Sequence, residues 1–187
     1  MSRISDKRVR LLQAASRLIH EVGLPNATLA RIAHEAGIPL GNVYYYFRSK
    51  EELWRAVLDS RTEQIRDVLD RAATTPEPKS QLIAFTEYFR EAGDDIARFG
   101  CPFGGLGHEM SREAGVSRDL RSAPLAEMLT WTEGRFTTLG APKKDARRQA
   151  GHLVAAIQGA SLLAHSLGDP KILRREIRVL QRWIETL

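Results

Sequence analysis

Between Thr28 and Phe47 the chain sets two short helical stretches on either side of Ala36-Gly37-Ile38, a break with room for a tight turn and little else. Thr28 can cap the first stretch, because its hydroxyl can satisfy a free N–H of the opening turn. The inward face of that stretch is Leu29, Ile32, Ala33 and Ala36, and Gly37 ends it as a left-handed cap. Pro39 can start the second stretch, since its missing N–H would have no helical partner there. This spacing holds two helices at a steep angle and lets the second project from the fold. In the second stretch, which ends near Tyr46 or Phe47, Val43 and Phe47 lie four residues apart and form a natural buried pair. Leu40, Gly41, Asn42, Tyr44 and Tyr45 are left accessible. Exposing consecutive tyrosines is costly without a purpose. Their hydroxyls suit phosphate oxygens, and their rings suit sugars and thymine methyls. Arg48 and Lys50 follow directly, where a helix N-terminus and a cation can meet a nucleic-acid backbone.

The rest of the chain reads as helix throughout. Leu11, Ala15, Leu18, Ile19 and Val22 recur at helical spacing over about Asp6 to Val22, with Gly23 as a stop. Ser49 is an N-cap with Glu51 and Glu52 in the first turn, opening a helix that runs to about Ala73. Thr74 to Pro78 is a loop, and helices are expected over Ser80–Ala92, about Pro124–Leu139 and about Asp145–Leu167. Phe99 to Gly107 is a Gly-rich turn region leading into a further helix. The last helix follows Gly168-Asp169-Pro170 and carries the stripe Leu173, Ile177, Leu180, Ile184 and Leu187. No strand pattern and no internal repeat occurs. The fold class is therefore all-α: a three-helix helix-turn-helix domain over residues 1–52, with its motif at about 28–47, followed by a larger helical domain over 53–187.

Charge is concentrated where that motif lies. Residues 1–55 hold nine lysines and arginines against five acids, so they carry +4 of the net +5 of the 187-residue chain. A basic module on a nearly neutral body is the electrostatic arrangement of a nucleic-acid binder. Met1 to Arg10 lacks the apolar core of a secretory signal, and the least polar stretch, Leu153 to Ala164, is too short to span a bilayer. With a single cysteine, Cys101, there is no internal disulfide, so a cytoplasmic protein is expected. Neither a Walker loop nor a dinucleotide fingerprint is present, so no cofactor is expected. Ser161 lacks the second glycine of a nucleophile elbow. Cys101, His108, His152 and His165 do not have metal-site spacing. An enzyme is thereby disfavoured. A DNA-compacting protein without a ligand is the other alternative, and steep salt dependence with little sequence preference would reveal it.

The run Thr28-Leu29-Ala30-Arg31-Ile32-Ala33, followed by Ala36-Gly37-Ile38-Pro39-Leu40-Gly41-Asn42-Val43-Tyr44-Tyr45-Tyr46-Phe47-Arg48-Ser49-Lys50-Glu51-Glu52-Leu53, closely resembles the DNA-binding domain of the TetR family of bacterial repressors. The likeness is dense over about residues 6–55, while the remainder is similar only in length and helix layout. Two positions depart from the commonest pattern: Pro39 stands where serine or threonine often caps the recognition helix, and Tyr46 stands where histidine often touches phosphate. The resemblance implies that Thr28, Leu29 and Ala30 meet the DNA backbone and that Arg31 reaches a base or phosphate. It further implies that Leu40, Gly41, Asn42 and Tyr45 face bases, that Tyr44, Tyr46 and Lys50 grip phosphates, and that Lys7 adds a backbone contact.

From the same resemblance follow a ligand-binding and dimerisation domain over 53–187 and a homodimer formed through about 145–187. Two reading heads would then address a palindromic operator in double-stranded DNA, with half-sites about 34–36 Å apart or a multiple of that. Small residues crowd one helix there (Ala146, Ala150, Gly151, Ala155, Ala156, Gly159, Ala160, Ala164), and Trp183 follows; they serve either a second copy or their own domain. A small, mainly apolar ligand is expected among Phe85, Tyr88, Phe89, Cys101, Phe103, Met110, Leu129, Trp131, Phe136, Gln158 and His165. Cys101 is either a reactive thiol beside amide dipoles or an inert turn residue. The expected function is a ligand-released repressor.

Overall fold

The computed structural model describes residues 3–112 and 116–187, and among them all regular structure is helical. In chain order the helices are α1 (Arg3–Val22), α2 (Leu29–Glu35), α3 (Val43–Tyr46), α4 (Lys50–Ala72), α5 (Pro78–Glu91), α6 (Gly93–Phe99), α7 (Gly104–Glu109), α8 (Arg118–Thr138), α9 (Lys143–Leu167) and α10 (Pro170–Glu185). Short 3-10 turns occupy Leu24–Asn26, Leu40–Asn42 and Met110–Arg112. Among the described residues, no helix is long and apolar enough to cross a membrane.

Local hydrogen bonds decide where several helices begin. Ser49 Oγ accepts from the Glu52 N–H at 3.2 Å, and the Glu52 carboxylate accepts from the Arg48 N–H at 2.8 Å, a reciprocal cap for α4. Asp169 caps α10 by accepting from the Lys171 N–H at 2.9 Å. Helix α5 opens at Pro78, earlier than the expected Ser80, because proline fits a first turn that needs no N–H there. Helix α8 likewise starts well before Pro124. Ser117 Oγ accepts from the Leu120 N–H at 3.3 Å, so the cap lies at Ser117 and Pro124 becomes a buried residue inside the helix. The stretch 93–98, for which the sequence pattern predicts no element, forms most of α6, with Asp94 and Asp95 in its first turn.

Two compact units emerge: Met1–Arg61 with Gly105–Ser122, and Thr62–Gly104 with Ala123–Leu187. The core of the first joins Leu11, Ala15 and Ile19 of α1, Ile32 and Ala33 of α2, and Val43 and Phe47 around α3. Leu53, Trp54, Val57 and Leu58 of α4, at most 1% exposed, complete it. The domain boundary expected at residue 52 is therefore corrected: it falls inside α4, whose opening turns fill the N-terminal core. The chain also returns to this core through Leu106 and Met110, both buried. Gly107 permits that return, since a Cβ there would stand 2.6 Å from the Arg121 carbonyl oxygen. The Glu109 carboxylate accepts from the Leu24 N–H at 2.7 Å and ties the same segment to the 3-10 turn that follows α1.

The second unit is built on Leu82, Phe85 and Phe89 of α5, Met128 and Phe136 of α8, Leu153 and Ile157 of α9, and Leu173, Ile177, Leu180 and Ile184 of α10, together with Phe103 from the turn after α6. Each such fully buried side chain stabilises the fold by about 1.5–3 kcal/mol relative to exposure. The expected α10 stripe is buried up to Ile184, whereas Leu187 is 39% exposed. Of the small residues on α9, Ala146, Ala150, Ala160 and Ala164 pack inside their own unit. Gly151 and Ala156 are half-buried, and Ala155 and Gly159 are exposed.

Candidate nucleic-acid interface

Helix α2 is held at both ends. At its start Thr28 is extended, and its Oγ1 accepts from the Arg31 N–H at 3.3 Å. At its end the Gly37 N–H donates to His34 O at 3.0 Å and the Ile38 N–H to Ala33 O at 2.9 Å, with Gly37 left-handed at φ 62°. These paired bonds form a Schellman cap, with buried Ile38 just beyond it. The chain is thereby redirected within three residues, which sets where the next element starts.

That element differs from the helix expected to open at Pro39. Pro39 offers no side-chain cap, and a 3-10 turn over Leu40–Asn42, closed by the Asn42 N–H to Pro39 O at 2.9 Å, precedes a single α turn over Val43–Tyr46. A cap without an acceptor side chain, followed by Gly41, favours the tighter turn. Val43 and Phe47 are each 1% exposed and anchor the element, while Leu40, Tyr44 and Tyr45 are 47%, 56% and 69% exposed. Gly41 and Asn42 are exposed as well, and no atom lies within 4 Å of where a Gly41 Cβ would stand. Tyr46 is half-buried and meets Tyr45 edge to face, with ring centroids 5.0 Å apart.

Around this turn, Thr28, Ala30 and Arg31 are exposed and Leu29 is half-buried. The Arg31 guanidinium donates to Asn26 O at 3.1 Å. Lys50 is exposed, with Nζ 5.3 Å from the centre of the Trp54 ring, and Lys7 is half-buried on α1. At the start of α4, the Ser49 hydroxyl beside Glu51 holds its carboxyl below the usual glutamate range, helped by the backbone N–H and the nearby Lys50 and Arg55 charges. The structure adds three residues that the sequence pattern marks only as charge. Arg8 lies over the Phe47 ring at 4.9 Å, Arg10 donates to Ala36 O, and Arg17 pairs with Glu35. The seven-residue spacing of Arg10 and Arg17, which puts them on one face of α1, is the sequence signal for them.

The candidate ligand residues separate. Phe85, Phe89 and Phe103 are buried and join half-buried Tyr88 and Trp131 in one aromatic cluster, with ring centroids 5.2–6.3 Å apart. Cys101, buried, belongs to the same core. Gln158 is half-buried, and its Nε2 finds no hydrogen-bond partner among the described residues. Phe136 packs instead on Trp183, at 5.7 Å. His165 is exposed, with Nδ1 3.2 Å from Ala97 O. Two more lie apart from the cluster: Leu129 is 38% exposed on α8, and Met110 is buried in the core of the first unit. The sequence could not separate them, because helical spacing alone does not say which of two cores a face meets.

A family model described as "Bacterial regulatory proteins, tetR family" matches residues 11–57. The chain is 39% identical over 79 residues to the HTH-type transcriptional regulator BetI of Escherichia coli O45:K1. That match covers 42% of this chain and 40% of the relative, so the chain spans less than half the length of the curated relatives it matches. Among solved structures, a TetR transcriptional regulator from Chloroflexus aurantiacus superimposes with a TM-score of 0.86 at 24% identity, covering 99% of this chain and 97% of that one. The regulatory protein TetR from Rhodobacter sphaeroides gives 0.80 at 25% identity, covering 93% and 96%.

Proposed function

We propose that this chain, whose residues 11–57 match the model of the tetR family of bacterial regulatory proteins, is a member of that family and a repressor that reads operator DNA as a homodimer and is released by a small molecule. The observation that carries the reading is the turn Leu40–Tyr46: its two anchors are buried while two tyrosines, a leucine and an asparagine are presented outward. A surface so shaped exposes apolar and hydrogen-bonding groups together, which is what base edges and thymine methyls require. Leu40, Gly41, Asn42 and Tyr45 are assigned to bases. Thr28, Leu29, Ala30, Tyr44, Tyr46, Lys50 and Lys7 are assigned to the sugar-phosphate backbone, with Arg31 at either.

Pairing is assigned to α9 and α10. Leu162, Leu163 and Leu167 are 65%, 53% and 68% exposed on α9, and Val179 is 42% exposed on α10. A groove of about 230 Å³ lined by Ala156, Ala160, Leu163, Ile172, Arg175 and Glu176 runs beside them. Apolar side chains so exposed on adjacent helices suit a second copy of the same face. The ligand is assigned to the aromatic cluster of the second unit, with Gln158 as its polar partner, and is mainly apolar. Release is a population shift: to switch fully, the ligand must favour the non-binding state by about 5.5 kcal/mol.

Selection of bound duplexes from a random DNA pool tests this reading. A palindrome with half-sites about 34–36 Å apart, or a multiple of that, is the expected product. Binding that is steeply salt-dependent but enriches no sequence would leave a structural DNA binder instead.

A further inference from the structure

Three arginines of α1 reach the helix-turn-helix, and one of them meets the turn itself. The α2 C-terminus presents the Ala36 carbonyl, which accepts from Arg10 Nη2. Helix C-termini carry free carbonyls and a partial negative charge, so a guanidinium there is doubly favoured. Asp6, one turn earlier on α1, steadies the same guanidinium from 3.9 Å at Nη1. The neighbouring residue is Gly37, where a Cβ would stand 2.8 Å from Arg10 Nη2. Glycine at this position is required by the left-handed backbone, and a Cβ there would also displace the guanidinium tip from the place it occupies.

We propose that Arg10 is a positioning residue for DNA reading: its hold on the Ala36 carbonyl over the bare face of Gly37 sets the direction in which Leu40–Tyr46 leaves α2. Its charge is used within the protein and not on a phosphate. Arg17 pairs with Glu35 at the end of α2 and Arg8 lies over Phe47 just past the reading turn, so α1 also meets the residues on either side of that turn. This inference rests on the DNA-reading function proposed above.

The two roles for an arginine predict different salt behaviour. Losing a phosphate contact weakens all duplexes alike and lowers the salt slope by about one. Losing a positioning contact leaves the slope intact and reduces discrimination. The full chain and its Arg10→Met variant are titrated with a duplex selected from the random pool and with a scrambled duplex of equal length, across a salt series. Discrimination is expected to fall about tenfold, comparable to one well-placed base contact, with the slope unchanged. The melting temperature should drop by no more than about 4 °C. Gly37→Ala, which alters no charge, is expected to produce a similar loss. The double variant should lose no more than Gly37→Ala alone, which displaces the Arg10 guanidinium and in addition strains the left-handed backbone.

A slope lowered by about one, with both duplexes weakened equally, would overturn the proposal. Unchanged discrimination, or a large melting shift with discrimination intact, would do so too. If Arg10→Met does not fold, Arg10→Lys decides the question in its place: it keeps the charge but loses the two-pronged hold, so a variant matching wild type in discrimination overturns the proposal. A wild-type protein that does not distinguish the two duplexes removes the DNA-reading premise, and the proposal with it. A variant that discriminates as well as a discriminating wild type removes only Arg10.

Discussion

The exposed turn of the first unit and the core of the second use aromatic residues in opposite ways. In the first, Tyr44 and Tyr45 stand more than half exposed on a turn held by only two buried anchors. In the second, Phe85, Phe89 and Phe103 are at most 1% exposed and lie edge to face or tilted against their neighbours. Buried rings stabilise by the apolar area removed from water, whereas exposed rings contribute little to folding and keep that area for a partner. An aromatic ring left exposed on a well-anchored turn is therefore a stronger surface-function signal than one that the core already uses.

The largest effect that could break this contrast lies in the second unit. Phe89→Ala should cost about 3–5 kcal/mol of stability, as a large side chain leaves a cavity in a packed core; chemical denaturation would read it. A loss under about 1 kcal/mol would mean that the cluster is already open.

Next comes the exposed side of the comparison. Tyr45→Ala should change stability by no more than about 0.5 kcal/mol, as surface substitutions usually do. It should nevertheless reduce discrimination between the selected and scrambled duplexes by about 1–3 kcal/mol, the worth of one specific contact. If the variant instead melts early and still discriminates, the ring belongs to the fold and the contrast fails.

The smallest effects sharpen the boundary between the two regimes, at the start of α4. Ser49→Ala removes the acceptor for the Glu52 N–H and should cost about 1 kcal/mol, measurable as a lowered denaturation midpoint. It should also alter the acid limb of stability. The Glu51 carboxyl titrates lower in the folded chain than in the unfolded one, chiefly through its hydrogen bond with Ser49. Its contribution is therefore present above the ordinary glutamate range and is lost as pH falls through the lowered folded value. Urea titrations from neutral pH downward should show that loss in the wild type and a shallower one in Ser49→Ala.

Local chemistry accounts for what was legible beforehand. The Schellman cap at Gly37, the buried pair Val43 and Phe47, and the α4 cap at Ser49 all arise between residues a few positions apart, where side-chain type and spacing decide the outcome. Pro124 misled because proline is a good helix start only when no better cap precedes it, and Ser117 does. Met110 misled because its segment lies far along the chain from the core it enters. Arg10 counted only as charge because its acceptor, the Ala36 carbonyl, carries no side-chain signature at all.

The sequence by itself determined an all-helical chain, the site of the reading turn and the residues that turn exposes, since helical periodicity and capping are properties of neighbours. Only the tertiary structure decided which core the opening of α4 joins, that Gly105–Ser122 returns to the first unit, and which cations of α1 are already engaged. Those outcomes depend on contacts between residues tens of positions apart. A given apolar face or guanidinium can meet several partners of equal chemistry, and packing alone selects among them.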